Sequence, residues 1–300
     1  MLELGRVCIP VGLACNLNCK YCYRNCGKTR INRLNDLMKK YLLQLNPEIT
    51  RSVVISGGEP LLYFDRAKEI YQYVPDGVYK KIMTNGILLT QEIVDYCNIN
   101  HIEIHVSHDG TNTKKLRGID VLEDPKICDL IKQIQVLRIH SVICAGNEDI
   151  CKNFEYIASK LNRRDFYYTI SPVWGYESDE LIKGFNYDLY QRSFFNYQRN
   201  IHRTLDYYKY GPTHSQGLNV LPDGQVCSLV TMDIYGTVEN TLEEIIKKKR
   251  ELGGFQNCEN ISCSIRDRCG YASQTSTPHL CKCLKINVNV NDYLRENSFE

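Results

Sequence analysis

Between residues 6 and 173 the chain alternates between two patterns, and few folds accommodate both. Short β-rich runs fall at 6–14, Ser52–Ser56, Tyr79–Met83, Ile102–Val106, Val136–Cys144 and Phe166–Val173. Between them, apolar residues recur at helical spacing: Leu34, Leu37, Met38, Tyr41, Leu42 and Leu45, then Ala67, Ile70, Tyr71 and Val74. Further helices are expected from Thr90, from the cap-and-proline pair Asp124-Pro125, and from Asn147, with Asp65 capping the second helix. Strands alternating with helices imply βαβ units, a parallel sheet and right-handed crossovers. Six such units cannot close the usual eight-stranded barrel. The expected fold is therefore α/β, a partial (β/α)6 TIM-like barrel of parallel strands, with ligand chemistry at the carboxyl ends of the strands.

After residue 173 the pattern changes. Residues 176–212 read as a helical connection, broken by Gly211-Pro212. From 213 to 300 a small cysteine-rich α+β extension is expected. Leu218–Leu221 and Gln225–Leu229 flank the turn Pro222-Asp223-Gly224 as a hairpin, a short helix covers Thr241–Leu252, and Leu284–Val290 alternates as a late strand. The division is thus 1–175, 176–212 and 213–300.

Three hundred residues can bury one large core, with or without a small appended domain. A net charge of +2 predicts no general affinity for nucleic acid or for anionic membrane. No apolar run reaches membrane-spanning length and the first residues form no signal peptide, so a cytoplasmic protein is expected. The first strand is expected close to residue 1, so no fused domain that would bind a leader peptide is expected. Most of the 21 tyrosines are expected to pack with the hydroxyl at the surface.

Fifteen cysteines are too many for a reducing compartment unless metal holds some of them. They group at 8–26 and at 258–283, with Cys227 between; Cys97, Cys128, Cys144 and Cys151 stand alone and read as small buried hydrophobes. Cys15, Cys19 and Cys22 have C-x3-C-x2-C spacing, which lets one short loop wrap one metal centre. Three ligands on a cubane cluster leave one iron open, as a reactive site requires. A zinc knuckle completed by Cys26 or Cys8 is the alternative. Three further motifs end successive strands. Ser56-Gly57-Gly58-Glu59-Pro60 offers a close backbone approach and a carboxylate able to grip an ammonium group. Met83-Thr84-Asn85-Gly86 follows, and then Ser107-His108-Asp109-Gly110. Each alone would be an ordinary turn.

Together these motifs resemble the radical S-adenosylmethionine (SAM) superfamily. The resemblance implies a [4Fe–4S] cluster on Cys15, Cys19 and Cys22, with Tyr21 as the aromatic residue before the last cysteine. SAM would chelate the open iron. Gly57, Gly58, Glu59 and Pro60 would bind its amino group, with Glu59 on the ammonium. Thr84 and Asn85 form the Thr-Asn-Gly element. Ser107 would face the ribose, Asp109 belongs to the same Ser-x-Asp-Gly element, and Arg117 would meet the SAM carboxylate. His108 replaces a residue usually apolar and is expected on the outer side of the strand end.

The distal segment resembles a SPASM or twitch extension, which implies one auxiliary [4Fe–4S] cluster. Its ligands would be Cys258, Cys263, Cys269 and one of Cys281 and Cys283. Cys227 and, for a second cluster, His214 are further candidates. The spacing departs from the family pattern, and a structural zinc site on the same thiols stays open. The resemblance implies reductive cleavage of SAM and hydrogen abstraction from a peptide or protein side chain. The alternatives are a small-molecule radical SAM dehydrogenase or epimerase and, in a different class, a non-enzymatic zinc-binding interaction protein. The partners implied are a peptide substrate, a separate leader-binding protein, and an electron donor of flavodoxin or ferredoxin type.

Overall fold

A computed structural model describes residues 6–22, 36–172, 181, 183–200, 217–221, 223–228 and 234–251. Six strands follow the expected alternation: β1 (Arg6–Pro10), β2 (Ser52–Ser56), β3 (Tyr79–Thr84), β4 (Glu103–Ser107), β5 (Leu137–Ile143) and β6 (Tyr167–Pro172). All are parallel and paired in chain order, and the sheet stays open, as a partial (β/α)6 barrel. The helices are α1 (Asp36–Leu43), α2 (Phe64–Tyr71), α3 (Gln91–Ile99), the short α4 (Thr113–Arg117), α5 (Pro125–Lys132), α6 (Ile150–Leu161), α7 (Tyr187–Asn200) and α8 (Leu242–Glu251).

The helix starts are set by side-chain caps. Thr90 accepts from the Ile93 N–H, and Asp124 from those of Lys126 and Ile127. Two expectations shift. Asp65 lies inside the first turn of α2 and pairs with Lys68; Tyr63 precedes the helix without a side-chain cap. Asp149, not Asn147, caps α6, because the Asn147 amide instead bridges the Cys144 N–H and the Val142 carbonyl at the end of β5.

The hairpin of the distal segment forms, as β7 (Gly217–Val220) and β8 (Gln225–Ser228), and β9 (Ile234–Thr237) adds to it. Nothing in the short run Ile-Tyr-Gly-Thr announces β9. The three strands extend the main sheet, because β7 pairs in parallel with β1.

Strand side chains alternate between faces. Val7, Ile9, Val53, Ile55, Ile82, Ile104, Val106, Leu137 and Ile139 are buried on one face, in a core with Met38, Tyr41, Ile70, Val94, Ile131 and Phe154 from the helices. Phe154 of α6 stacks on Phe166 (centroids 5.1 Å) and meets Tyr197 of α7 (5.5 Å). Cys97, Cys128 and Cys144 are buried thiols, while Cys151 is half-buried with its Sγ on the Ser193 carbonyl. Tyr71, Tyr168 and Tyr197 are buried, hydroxyl included. Tyr71 donates to the Lys81 carbonyl and Tyr197 to that of Tyr168, so an internal backbone acceptor replaces water.

Candidate functional site

The site begins with backbone. Beyond β1 and β2 the ladder continues: Val11 donates to Ser56, Gly58 to Gly12, and Glu59 to Ala14. The two glycines are required by this approach. A Cβ on Gly57, whose φ is +145°, would lie 2.2 Å from the Gly12 carbonyl oxygen; one on Gly58 would lie 2.2 Å from that of Ala14. The close contact is therefore with the segment leading into Cys15, and it fixes the cysteine loop against the Gly-Gly-Glu-Pro strand end.

Glu59 is buried, and three protein donors hold its carboxylate. Oε1 accepts from the Leu61 N–H (3.0 Å) and the Thr84 hydroxyl (2.7 Å), and Oε2 from the Asn85 N–H (2.8 Å). Burial pushes its pKa up to about 7, against the pull of these three donors. The Asn85 amide in turn donates to Asn16 Oδ1 (2.7 Å) and reaches Cys15 Sγ at 3.9 Å. Glu59 thus ties β2 to β3, and Asn85 ties β3 to the cysteine loop.

A second junction centres on Asp109, which is 0% exposed. Arg117 grips it with Nε on Oδ2 (2.8 Å) and a terminal nitrogen on Oδ1 (3.1 Å); the Val142 N–H also donates to Oδ1 (2.8 Å), and the Tyr21 hydroxyl donates to Oδ2. The Arg117 guanidinium lies 5.3 Å from the Tyr21 ring centroid. Burial and the Asp109 charge raise the Tyr21 pKa well above its ordinary value. Burial works against the Arg117 charge, but Asp109 and Tyr21 outweigh it and raise its pKa too. The Lys20 N–H on the Leu116 carbonyl (2.9 Å) completes the docking of the cysteine loop on α4.

Ser107 ends β4, half-buried on the polar face, opposite His140 of β5. His108 corrects the expectation of an outer position, since it is 0% exposed. Its Nδ1 accepts from the Gly110 N–H (3.1 Å), so Nε2 donates to Asp120 Oδ1 (2.8 Å), and Asp120 also accepts from the Tyr156 hydroxyl (2.7 Å). A buried imidazole with both nitrogens satisfied shapes the turn that presents Asp109. The sequence motifs did not announce Asn16, Asp120, Val142 or Tyr156. Only the position of Asn16 inside the cysteine loop could have flagged one of them.

Cys15, Cys19 and Cys22 are half-buried thiols on this loop. Burial raises the Cys19 pKa; Arg117 lowers it, and Cys22 and Cys15 raise it further. Among the described residues no three His, Cys, Asp or Glu side chains converge on a single metal ion. A cubane asks for less, because each thiolate ligates its own iron. The donor set fits such a cluster: three thiols on one loop, braced by Asn85 and Tyr21 from two strand-end junctions. Cys227 is remote from them in the sheet order. It is buried on β8, opposite Asn219, which itself pairs with Cys8. His214, Cys26, Cys258, Cys263, Cys269, Cys281 and Cys283 lie outside the described residues.

Comparison with known proteins agrees with this arrangement. Residues 9–124 match the Radical SAM superfamily, so this part of the chain is a radical SAM domain. Its cofactors are those of the superfamily, a [4Fe–4S] cluster and SAM. The chain is 23% identical over 234 residues to the radical SAM cyclopropyl synthase TigE of Paramaledivibacter caminithermalis, covering 70% of this chain and 47% of that protein. It is 35% identical over 148 residues to the serine-type anaerobic sulfatase-maturating enzyme of Klebsiella aerogenes, covering 39% of this chain and 36% of that one. It thus spans about half or less of the length of these curated relatives. The structure of native anSMEcpe with bound AdoMet and Cp18Cys peptide shares its fold, with a TM-score of 0.69 at 17% identity, over 98% of this chain and 97% of the other.

Proposed function

We propose that this chain cleaves SAM reductively and uses the product to abstract hydrogen from a side chain of a peptide or protein. The single observation that carries the reading is the pair of junctions above. Glu59–Thr84–Asn85–Asn16 and Tyr21–Asp109–Arg117 bring the four motifs together around one cysteine loop. When bound, the cluster and SAM would supply radical hydrogen-abstraction chemistry, driven by one electron from an external donor. The chain's own residues bind and orient. Cys15, Cys19 and Cys22 would hold the cluster. Gly57, Gly58, Glu59, Pro60, Thr84, Asn85, Ser107 and Arg117 would hold SAM, with Asp109 fixing Arg117 and Tyr21. Arg117 spends Nε and one terminal nitrogen on Asp109, and a guanidinium has five donors, which leaves some for a ligand carboxylate. The peptide substrate is supported by the relatives named as sulfatase-maturating and by the peptide bound to anSMEcpe. One auxiliary [4Fe–4S] cluster on Cys258, Cys263, Cys269 and Cys281 or Cys283, a cytoplasmic location and a flavodoxin- or ferredoxin-type donor belong to the same proposal. Among the described residues no helix is long and apolar enough to cross a membrane.

The test is anaerobic incubation with SAM and a reductant. The wild-type chain should form 5′-deoxyadenosine, and replacing Cys15, Cys19 and Cys22 together by alanine should abolish it. Normal output from the triple variant would sink the assignment. A colourless wild-type protein carrying zinc would favour the non-enzymatic alternative. The triple variant, reconstituted with iron and sulfide, should keep about four iron per chain if one auxiliary cluster is present.

A further inference from the structure

The polar face of the sheet continues below the site. Strand register places Ser107, His140 and Thr169 in one row level with the end of β4, Met83, His105, Arg138 and Tyr167 in the next, and Lys81 beside Glu103 below that. Two residues of strand rise about 7 Å, so these charges lie roughly 7–13 Å below Ser107. Glu103 is the one carboxylate among them. It meets Arg138 Nε, His105 Nε2 at 2.6 Å and Lys81 Nζ at 3.4 Å. Burial pushes His105 down to about 4, so it is neutral near pH 7. Lys81 and Arg138 therefore share one carboxylate, with Arg6 also close to Lys81. Burial lowers the Lys81 pKa, and repulsion from Arg138 and Arg6 adds to this against the pull of Glu103. The Arg138 guanidinium lies 4.7 Å from the Tyr167 ring centroid, which holds its plane. The group is not sealed: Lys81 and Arg138 side chains are 19% and 20% exposed.

We infer that Lys81 and Arg138 form a subsite for a carboxylate side chain of the substrate, an Asp or Glu within about two to four residues of the position that loses hydrogen. This rests on the peptide reading above. Among the described residues this partly desolvated floor carries excess positive charge, which is costly, and a carboxylate there would gain charge-assisted hydrogen bonds that an amide of the same shape cannot match. Extended chain covers about 3.4 Å per residue, so the depth of the floor sets the spacing between the acid and the reacting residue.

Two fluorescent pools of randomised decapeptides, identical except for a fixed central Glu or Gln, test this by anisotropy against the reconstituted protein with SAM. The Glu pool should bind about tenfold tighter, a difference of roughly 1.4 kcal/mol. The preference should fall to within about twofold in Arg138→Gln and Lys81→Met and survive in Arg138→Lys, with SAM affinity unchanged throughout as the check on folding. Equal binding of both pools overturns the inference and leaves the peptide reading intact. Binding of neither overturns both. A preference that survives Arg138→Gln and Lys81→Met overturns the assignment to this cluster.

Discussion

The two faces of one sheet follow opposite rules. On the helix-covered face, Ile9, Val53, Ile55, Ile82, Ile104 and Ile139 are fully buried, and their aliphatic side chains make no directional contact. Their contribution scales with area, so another aliphatic of similar volume would serve. On the other face the same strands present Lys81, Glu103, His105, Ser107, Arg138 and His140, and beyond their ends Asp109 and Glu59. There, energy comes from specific donors and acceptors, and an isosteric change that alters charge is felt at once. One face specifies the fold and the other the site.

The comparison can be tested most forcefully at Asp109. Asp109→Ala leaves the Arg117 charge buried without its partner and should cost about 3–5 kcal/mol of stability. The same change should also weaken SAM binding, because the fork is released. Denaturant unfolding beside calorimetry checks both; a stable variant with unaltered SAM affinity would mean that the junction organises nothing.

Protonation should split the polar face. Glu59 is raised to about 7, so the folded chain holds its proton better than the unfolded chain, and stability rises as pH falls from about 7 towards 4.5. His105 is lowered to about 4, so the unfolded chain takes its proton first, and stability falls as pH drops from 6.5 towards 4. Between pH 7 and 5 the two oppose each other, each by about 2 kcal/mol. Urea unfolding at both values should show His105→Gln gaining stability on acidification and Glu59→Gln losing it. Parallel responses in the two variants would contradict the opposed titrations.

The helix-covered face should respond least. Ile104→Val removes one methyl and should cost about 0.5–1.5 kcal/mol with SAM affinity untouched. A loss of SAM affinity comparable to that of Asp109→Ala would show that the faces are not independent.

Six parallel strands, their order along the chain, the four motifs and their place at strand ends were legible because each rests on local pattern: periodicity, capping chemistry and spacing within a few residues. The Thr90 and Asp124 caps fall in that class. His108 did not, because a polar residue at a strand end looks solvent-facing until Asp120, twelve residues on, and Tyr156 of α6 close over it.

Sequence by itself determined the alternation of elements and the identity of the chemical groups. Only tertiary structure decided their partners. Gly57 and Gly58 are glycines because the Gly12–Ala14 backbone lies against them. Glu59 is held by Thr84 and Asn85. Lys81, Glu103, His105 and Arg138, spread over 58 positions, share one floor because parallel register stacks every second residue of neighbouring strands on one face. A hydrogen bond or ion pair depends on separation in space, and parallel strands bring together residues whose distance along the chain carries no trace of it.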